Sequence, residues 1–183
     1  MPQLSTRNIF YSIRFSITIE GPIVSGDNDR FKKEVIDQLH AGHLITSVNI
    51  FSPGGDVDQA IEIGKQIRTL GAQTSAPFLD GDERVCMRGE LDAQLPTTGG
   101  TCDCQSACFI IWSAGTGRNG TFVGVHRPRF EADYFKNLTP QRASEKYSEV
   151  EKLTRDYFRE KGIPDWAVSR MYSVASTKME FLN

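Results

Sequence analysis

The 183-residue chain contains no apolar run near the roughly 20 residues that a membrane-spanning helix requires, so no span is expected. Its start, from Met1, lacks a basic stretch followed by an apolar one; if the protein is exported, its leader has been removed. Excess charge of either sign is also missing, since 21 Lys and Arg stand against 23 Asp and Glu for a net charge of -2. Such a balance makes no field that would gather phosphate backbones or anionic lipid, and no nucleic-acid partner is expected. There is no internal repeat and no low-complexity tract. Histidine is scarce, with three in the chain, and the cysteines lack paired C-x-x-C spacing, which weakens a zinc reading. Nothing in the sequence asks for a cofactor.

What is present has the balance of a soluble globular protein, 39% hydrophobic and 24% charged, and the length suits one domain over residues 1–183. Four cysteines, Cys86, Cys102, Cys104 and Cys108, crowd one short region. Disulfides would fit an oxidising compartment, a zinc site a reducing one, and separate buried thiols remain open; four cysteines allow three pairings, between which the sequence does not choose.

Alternation of Phe15, Ile17 and Ile19 with polar residues predicts a strand over Phe15 to Glu20, closed by Gly21-Pro22. Phe31, Val35, Ile36 and Leu39 fall on one face of a helix over Asp29 to His40. Val48 to Phe51 reads as a short buried strand that runs into Ser52-Pro53-Gly54-Gly55-Asp56-Val57. A helix through Ala60, Ile61, Gly64, Ile67 and Leu70 stops at Gly71, and Gln73 to Ala76 suggests another strand. Residues 77–103 turn polar and read as an inserted loop or hairpin. An apolar helix opens at Ser106, and a strand over Thr121 to Val125 delivers His126. A long amphipathic helix over Pro140 to Lys161 shows an apolar face of Ala143, Tyr147, Val150, Leu153 and Tyr157, and a last short helix runs from Pro164 through Met171. Strands alternating with helices imply an α/β fold with a parallel sheet and right-handed crossovers.

The organising stretch is Cys104 to Gly115, where Ser106 stands at a helix start. A hydroxyl there lies beside backbone N–H groups that lack intrahelical partners, which suits a nucleophile, although an ordinary N-cap serine gives the same pattern. Ser-Pro-Gly-Gly at a strand-to-helix turn can aim successive N–H groups into one space with no Cβ in the way; it can also be only a turn. His40 and His43 look like surface residues at the end of the first helix. His126, at a strand end before Arg127-Pro128, is the candidate base.

Taken together and in order, Ser52-Pro53-Gly54-Gly55, Ser106 opening the helix that ends Ser113-Ala114-Gly115, Arg118, and Gly124-Val125-His126-Arg127-Pro128 resemble the proteolytic subunit of the Clp protease, the ClpP family of the crotonase-like superfamily. The likeness spans roughly Phe15 to Phe181, and the Cys-x-Ser-Ala-Cys setting looks most like exported, periplasmic versions. It implies a spiral of parallel βαβ units with a long C-terminal amphipathic helix. It also implies a serine endopeptidase cleaving extended peptides or unfolded protein, with Ser106 as nucleophile, His126 as general base and the N–H groups of Gly55 and Ala107 as oxyanion hole. Gly54, Asp56 and Val57 would bind substrate as an added strand. Homo-oligomers are implied as well. An unfoldase partner is not expected, because the N-terminal arm is not recognisably the family's docking segment. The expected location is the periplasm or beyond, with the cytoplasm as alternative.

Three features depart from the family pattern. Where it carries an acidic third member the aligned residue is Met179, and the neighbouring Glu180 is the remaining candidate. The cysteine-bearing insertion lies where the family has a short link. The chain stops at Asn183 while the family continues through a further helix and strand. Two other readings therefore stand beside the peptidase: a catalytically weak or silent scaffold that oligomerises through the long helix, and a Ser–Lys peptidase of the signal-peptide-peptidase type with Lys146 or Lys136 as base.

Overall fold

The computed structural model describes residues 13–80, 83–86, 102–129 and 137–182. In chain order the elements are β1 (Ile13–Glu20), α1 (Asp27–His40), β2 (His43–Phe51), α2 (Val57–Leu70), β3 (Gln73–Ser75), β4 (Phe78–Asp80), β5 (Glu83–Val85), β6 (Cys104–Gln105), α3 (Ala107–Ser113), β7 (Arg118–Asn119), β8 (Val123–Val125), α4 (Pro140–Glu160), α5 (Asp165–Ser173) and β9 (Glu180–Leu182).

The parallel βαβ reading holds for the first half. β1 pairs with β2 along its whole length, from Ile13 opposite His43 to Glu20 opposite Phe51, and β3 and β7 follow in parallel to give the order β1-β2-β3-β7. Crossing between β1 and β2, α1 buries Phe31 and Val35. Between β2 and β3, α2 buries Ala60, Ile61, Ile63, Gly64 and Ile67 and ends at Gly71 in the left-handed conformation. β2 begins five residues before the strand predicted from Val48. Of its first five residues only Ile45 is buried, so no run of buried apolar residues marks them, yet Phe15 stacks on His43 at 5.3 Å and Ser16 Oγ meets Ser47 Oγ at 2.5 Å. His43 is thus a strand residue, its Nδ1 2.6 Å from Gln38 Oε1.

A second sheet grows from the end of the first. Ser52 bridges Cys104 in parallel, β6 pairs with β8 in parallel, and β9 closes the layer antiparallel to β8. The antiparallel β9 is added to the parallel strands, and the β4–β5 hairpin falls in the segment expected to hold an inserted loop or hairpin. Of the polar segment 77–103, that hairpin is described, while residues 81–82 and 87–101 lie outside the described residues, as do the N-terminal arm and Lys136.

α3 is the hub between the layers: Ala107, Cys108, Phe109, Ile110, Ile111 and Ser113 are all buried. Only the last turns of α4 dock on it. Tyr157 Oη donates to the Ile110 carbonyl at 3.0 Å, and the Phe158 ring packs on Phe109 with centroids 4.8 Å apart. Gly64 on α2 makes room for them, since a Cβ there would stand 1.9 Å from Tyr157 Oη. Burial in this packing pushes the Tyr157 hydroxyl well above the usual tyrosine range. The buried face of α4 is therefore Thr154, Tyr157 and Phe158; Leu153, assigned inward by periodicity, is 49% exposed. All four cysteines are in disulfides, Cys86–Cys102 and Cys104–Cys108, which settles the choice left open by their spacing. Among the described residues no helix is long and apolar enough to cross a membrane.

Candidate active site

Ser106 occupies the sharp turn between β6 and α3, at φ 57° and ψ -119°, and among the described residues it alone combines a side chain with a positive φ. A backbone held in so sparsely populated a region costs on the order of 1–3 kcal/mol, so the surroundings must over-determine it. They do so from three sides. The Ser106 N–H donates to the Gly124 carbonyl at 2.9 Å, the Gln105 N–H donates to the Ser52 carbonyl at 3.0 Å, and the Cys104–Cys108 disulfide spans the turn. The Ser106 hydroxyl makes no capping hydrogen bond to α3, so it does not do the work of an N-cap serine.

Over this turn lies Ser52-Pro53-Gly54-Gly55. The Gly54 N–H donates to Ser52 Oγ at 3.1 Å, Gly54 O accepts from the Ile23 N–H at 2.9 Å, and the Asp56 N–H donates to Ile23 O at 2.9 Å. These bonds fix the two glycines at φ 95° and 142°. A Cβ on Gly54 would stand 2.6 Å from Ser106 Cβ and 3.0 Å from Ala107 N; one on Gly55 would stand 2.1 Å from Ile23 O. The sequence needs glycine here for both conformation and space. The N–H groups of Gly55 and Ala107 have no acceptor among the described residues. Asp56 is the N-cap of α2, its Oδ1 accepting from the N–H groups of Asp58 and Gln59. Because α2 begins at Val57, the non-helical stretch beside Ser106 ends at Asp56.

His126 follows β8 as Ser106 follows β6. With Cys104 opposite Val123 and Gln105 opposite Gly124, Ser106 and His126 both follow the carboxyl ends of neighbouring parallel strands, His126 one residue further along the register. His126 Nδ1 lies 2.7 Å from the carbonyl oxygen of Arg127. Among the described residues no carboxylate hydrogen-bonds to the ring. On β9, Glu180 is opposite Val125, and one further step of that register sets Met179 opposite His126. Strand alternation therefore turns Glu180 to the other face, where it accepts from Arg170 Nε. Met179 shares the face of His126, and its Sδ lies 2.8 Å from where a Cβ on Gly124 would stand.

Arg118 spans two elements, Nε donating to Ser113 O at 2.9 Å and a terminal nitrogen donating to Lys161 O. Burial, and then the nearby charge of Arg68, lower its pKa, and its role here is to tie the end of α3 to the end of α4. Lys146 sits on the exposed half of α4 with Nζ 2.6 Å from Glu149 Oε2. A cavity of about 310 Å³ lies elsewhere, between β1 and the start of α1, lined by residues such as Glu20, Asp27, Arg30 and Glu34; it contains none of the groups around Ser106. The Arg127 carbonyl was not among the groups suggested by sequence, because a backbone acceptor leaves no trace in residue identity.

No family model matches the chain, and no curated protein matches it. Solved structures do. ClpP1 from Listeria monocytogenes aligns with a TM-score of 0.56 at 15% identity, covering 92% of this chain and 82% of its own. A mutant form of the 1510-N membrane-bound stomatin-specific protease aligns at 0.56 and 12% identity over 94% of this chain and 74% of its own. The ClpP protease catalytic domain from Plasmodium falciparum aligns at 0.54 and 12% identity over 91% and 76%. The fold is ClpP-like.

Proposed function

We propose that the protein is a serine peptidase acting on extended peptide, with Ser106 as nucleophile and His126 as general base. The observation that carries this reading is the strained turn at Ser106, covered by Gly54-Gly55 and following the strand next to the one that ends before His126, with two N–H groups that find no acceptor among the described residues. Strain of that kind is kept where a side chain must be presented in one direction. The ClpP-like fold and the order of the motifs point the same way.

In this mechanism Ser106 Oγ attacks the scissile carbonyl carbon while its proton passes to His126 Nε2. The carbonyl oxygen becomes an oxyanion held by the N–H groups of Gly55 and Ala107, donors already in place before the charge develops. Collapse expels the amine, which takes the proton from the imidazolium, and leaves an acyl-serine. Water then attacks the acyl carbon while giving a proton to His126, and as the ester bond to Ser106 breaks the imidazolium returns that proton to Oγ, releasing the acid product and free serine. Of the expected substrate-binding residues Gly54, Asp56 and Val57, the first two have their backbone groups bonded to Ser52, Ile23 and Ala60 and Val57 opens α2, so Gly55 between them is the backbone along which substrate lies.

The two disulfides favour an oxidising compartment, and we place the protein in the periplasm or beyond on that ground. Homo-oligomerisation belongs to the same proposal: α4 buries no residue before Thr154, which leaves its first three turns and more for a second copy. One observation favours a silent scaffold instead, namely that Met179 takes the position beside His126 and Glu180 is engaged by Arg170. Intact mass spectrometry after a broad fluorophosphonate separates the two. A single adduct lost in both Ser106→Ala and His126→Ala is expected; no adduct on the folded protein returns the chain to the scaffold reading.

A further inference from the structure

We infer that the backbone carbonyl of Arg127 is the group that orients His126, in the place where serine hydrolases of this kind use a carboxylate. The inference deepens the peptidase reading and rests on it.

The contact itself selects the tautomer of the neutral ring. His126 Nδ1 is 2.7 Å from Arg127 O. A carbonyl oxygen has no proton to give, so this is a hydrogen bond only when Nδ1 carries the hydrogen, and the neutral ring then has its lone pair on Nε2. Nε2 is the atom that must accept the serine proton. A carboxylate at Nδ1 does two things, fixing the tautomer and stabilising the imidazolium; a carbonyl does the first fully and the second only through its dipole.

The carbonyl is itself held in place. The Arg127 N–H donates to the Val174 carbonyl at 3.1 Å, at the end of α5. Pro128 follows, and a residue before proline is confined to extended conformations, which narrows the directions available to the Arg127 carbonyl. The competing positions are occupied: the Met179 thioether fills the shared face beside Gly124, and Glu180 faces away onto Arg170. The arrangement fixes a direction without adding a charge, so it yields an active but slow nucleophile.

The test is long-range proton–nitrogen correlation NMR on the full chain labelled with nitrogen-15 histidine, above the pH at which the ring is protonated, with the His126 signals assigned by His126→Gln. The expected result is a pyrrole-type Nδ1 and a pyridine-type Nε2 for His126. A dominant Nε2–H tautomer would overturn the inference. Pro128→Gly, which frees the Arg127 carbonyl, should scramble the tautomer and slow fluorophosphonate labelling of Ser106 about five- to tenfold. Met179→Asp in the Pro128→Gly background should restore both by offering Nδ1 a carboxylate. A merely structural Pro128 would leave the tautomer unmoved, and that result also overturns the inference. Labelling that survives His126→Ala intact would overturn the base reading instead, whatever the tautomer, and the positioning role would fall with it.

Discussion

At the scale of single residues the site depends on what is absent from two side chains. Gly54 has φ 95° and would place a Cβ 2.6 Å from Ser106 Cβ and 2.7 Å from Gln105 O, both parts of the strained turn rather than the free end of a flexible side chain. Gly54→Ala must therefore push the turn away or move its own backbone, and either change shifts Ser106 relative to the Gly55 and Ala107 N–H groups. Removing one oxyanion donor alone costs on the order of 10²–10³ in rate. A fall of about a hundredfold or more in fluorophosphonate labelling is expected, with a stability loss of ~1–3 kcal/mol in urea unfolding from the unfavourable φ. Labelling at the parental rate would show that Gly54 is only a turn residue. Ser106 and His126 were legible as candidates because their residue types and their places at a helix start and a strand end carry meaning. Met179 was legible as a missing acid. The Arg127 carbonyl was not legible, since every residue has one and only the folded chain aims it.

At the scale of elements, the two disulfides differ in what they brace. Cys86–Cys102 closes a separation of 16 residues within the polar segment, whereas Cys104–Cys108 closes a separation of 4 across the turn between β6 and α3. Loop entropy ranks the longer one higher for stability, at about 3 kcal/mol against about 2 kcal/mol. Position ranks them the other way for catalysis, because only the short one holds the backbone on both sides of Ser106. The double variant Cys104→Ala with Cys108→Ala should lower Ser106 labelling at least tenfold, while Cys86→Ser with Cys102→Ser should lower the unfolding free energy more and leave labelling near the parental rate. Equal labelling in both variants would remove the short disulfide from the site. Strand and helix periods gave most of the elements in the sequence, yet missed the first five residues of β2, because among them only Ile45 is buried and His-Leu-Ile-Thr-Ser shows no alternation to read. β9 pairs antiparallel to β8, a partnership between distant segments that no local period encodes.

At the scale of the whole molecule, α4 is the element whose length exceeds its local use. It runs for 21 residues, and its buried residues are Thr154, Tyr157 and Phe158, all in the last two turns. Periodicity predicted one apolar face along the entire helix; the protomer fully buries only the end of it, and Ala143, Tyr147 and Val150 on the same face are half-buried. Leu153 is left 49% exposed and Leu138, just before the helix, 38% exposed. A helix that projects beyond its own core is stabilised poorly in isolation, and a second copy supplying the missing apolar surface accounts for both its length and these leucines. Leu153→Glu should then leave the protomer's unfolding free energy within about 0.5 kcal/mol of the parent, as surface substitutions usually do. Native mass spectrometry of the same variant should show the parental oligomer replaced by smaller species. If the parent is already monomeric at tens of micromolar, or if the variant assembles like the parent, the projecting half of α4 has another role. Fluorophosphonate labelling of the same samples adds the functional reading: loss of labelling together with assembly would mean that the turn at Ser106 is completed only when protomers meet.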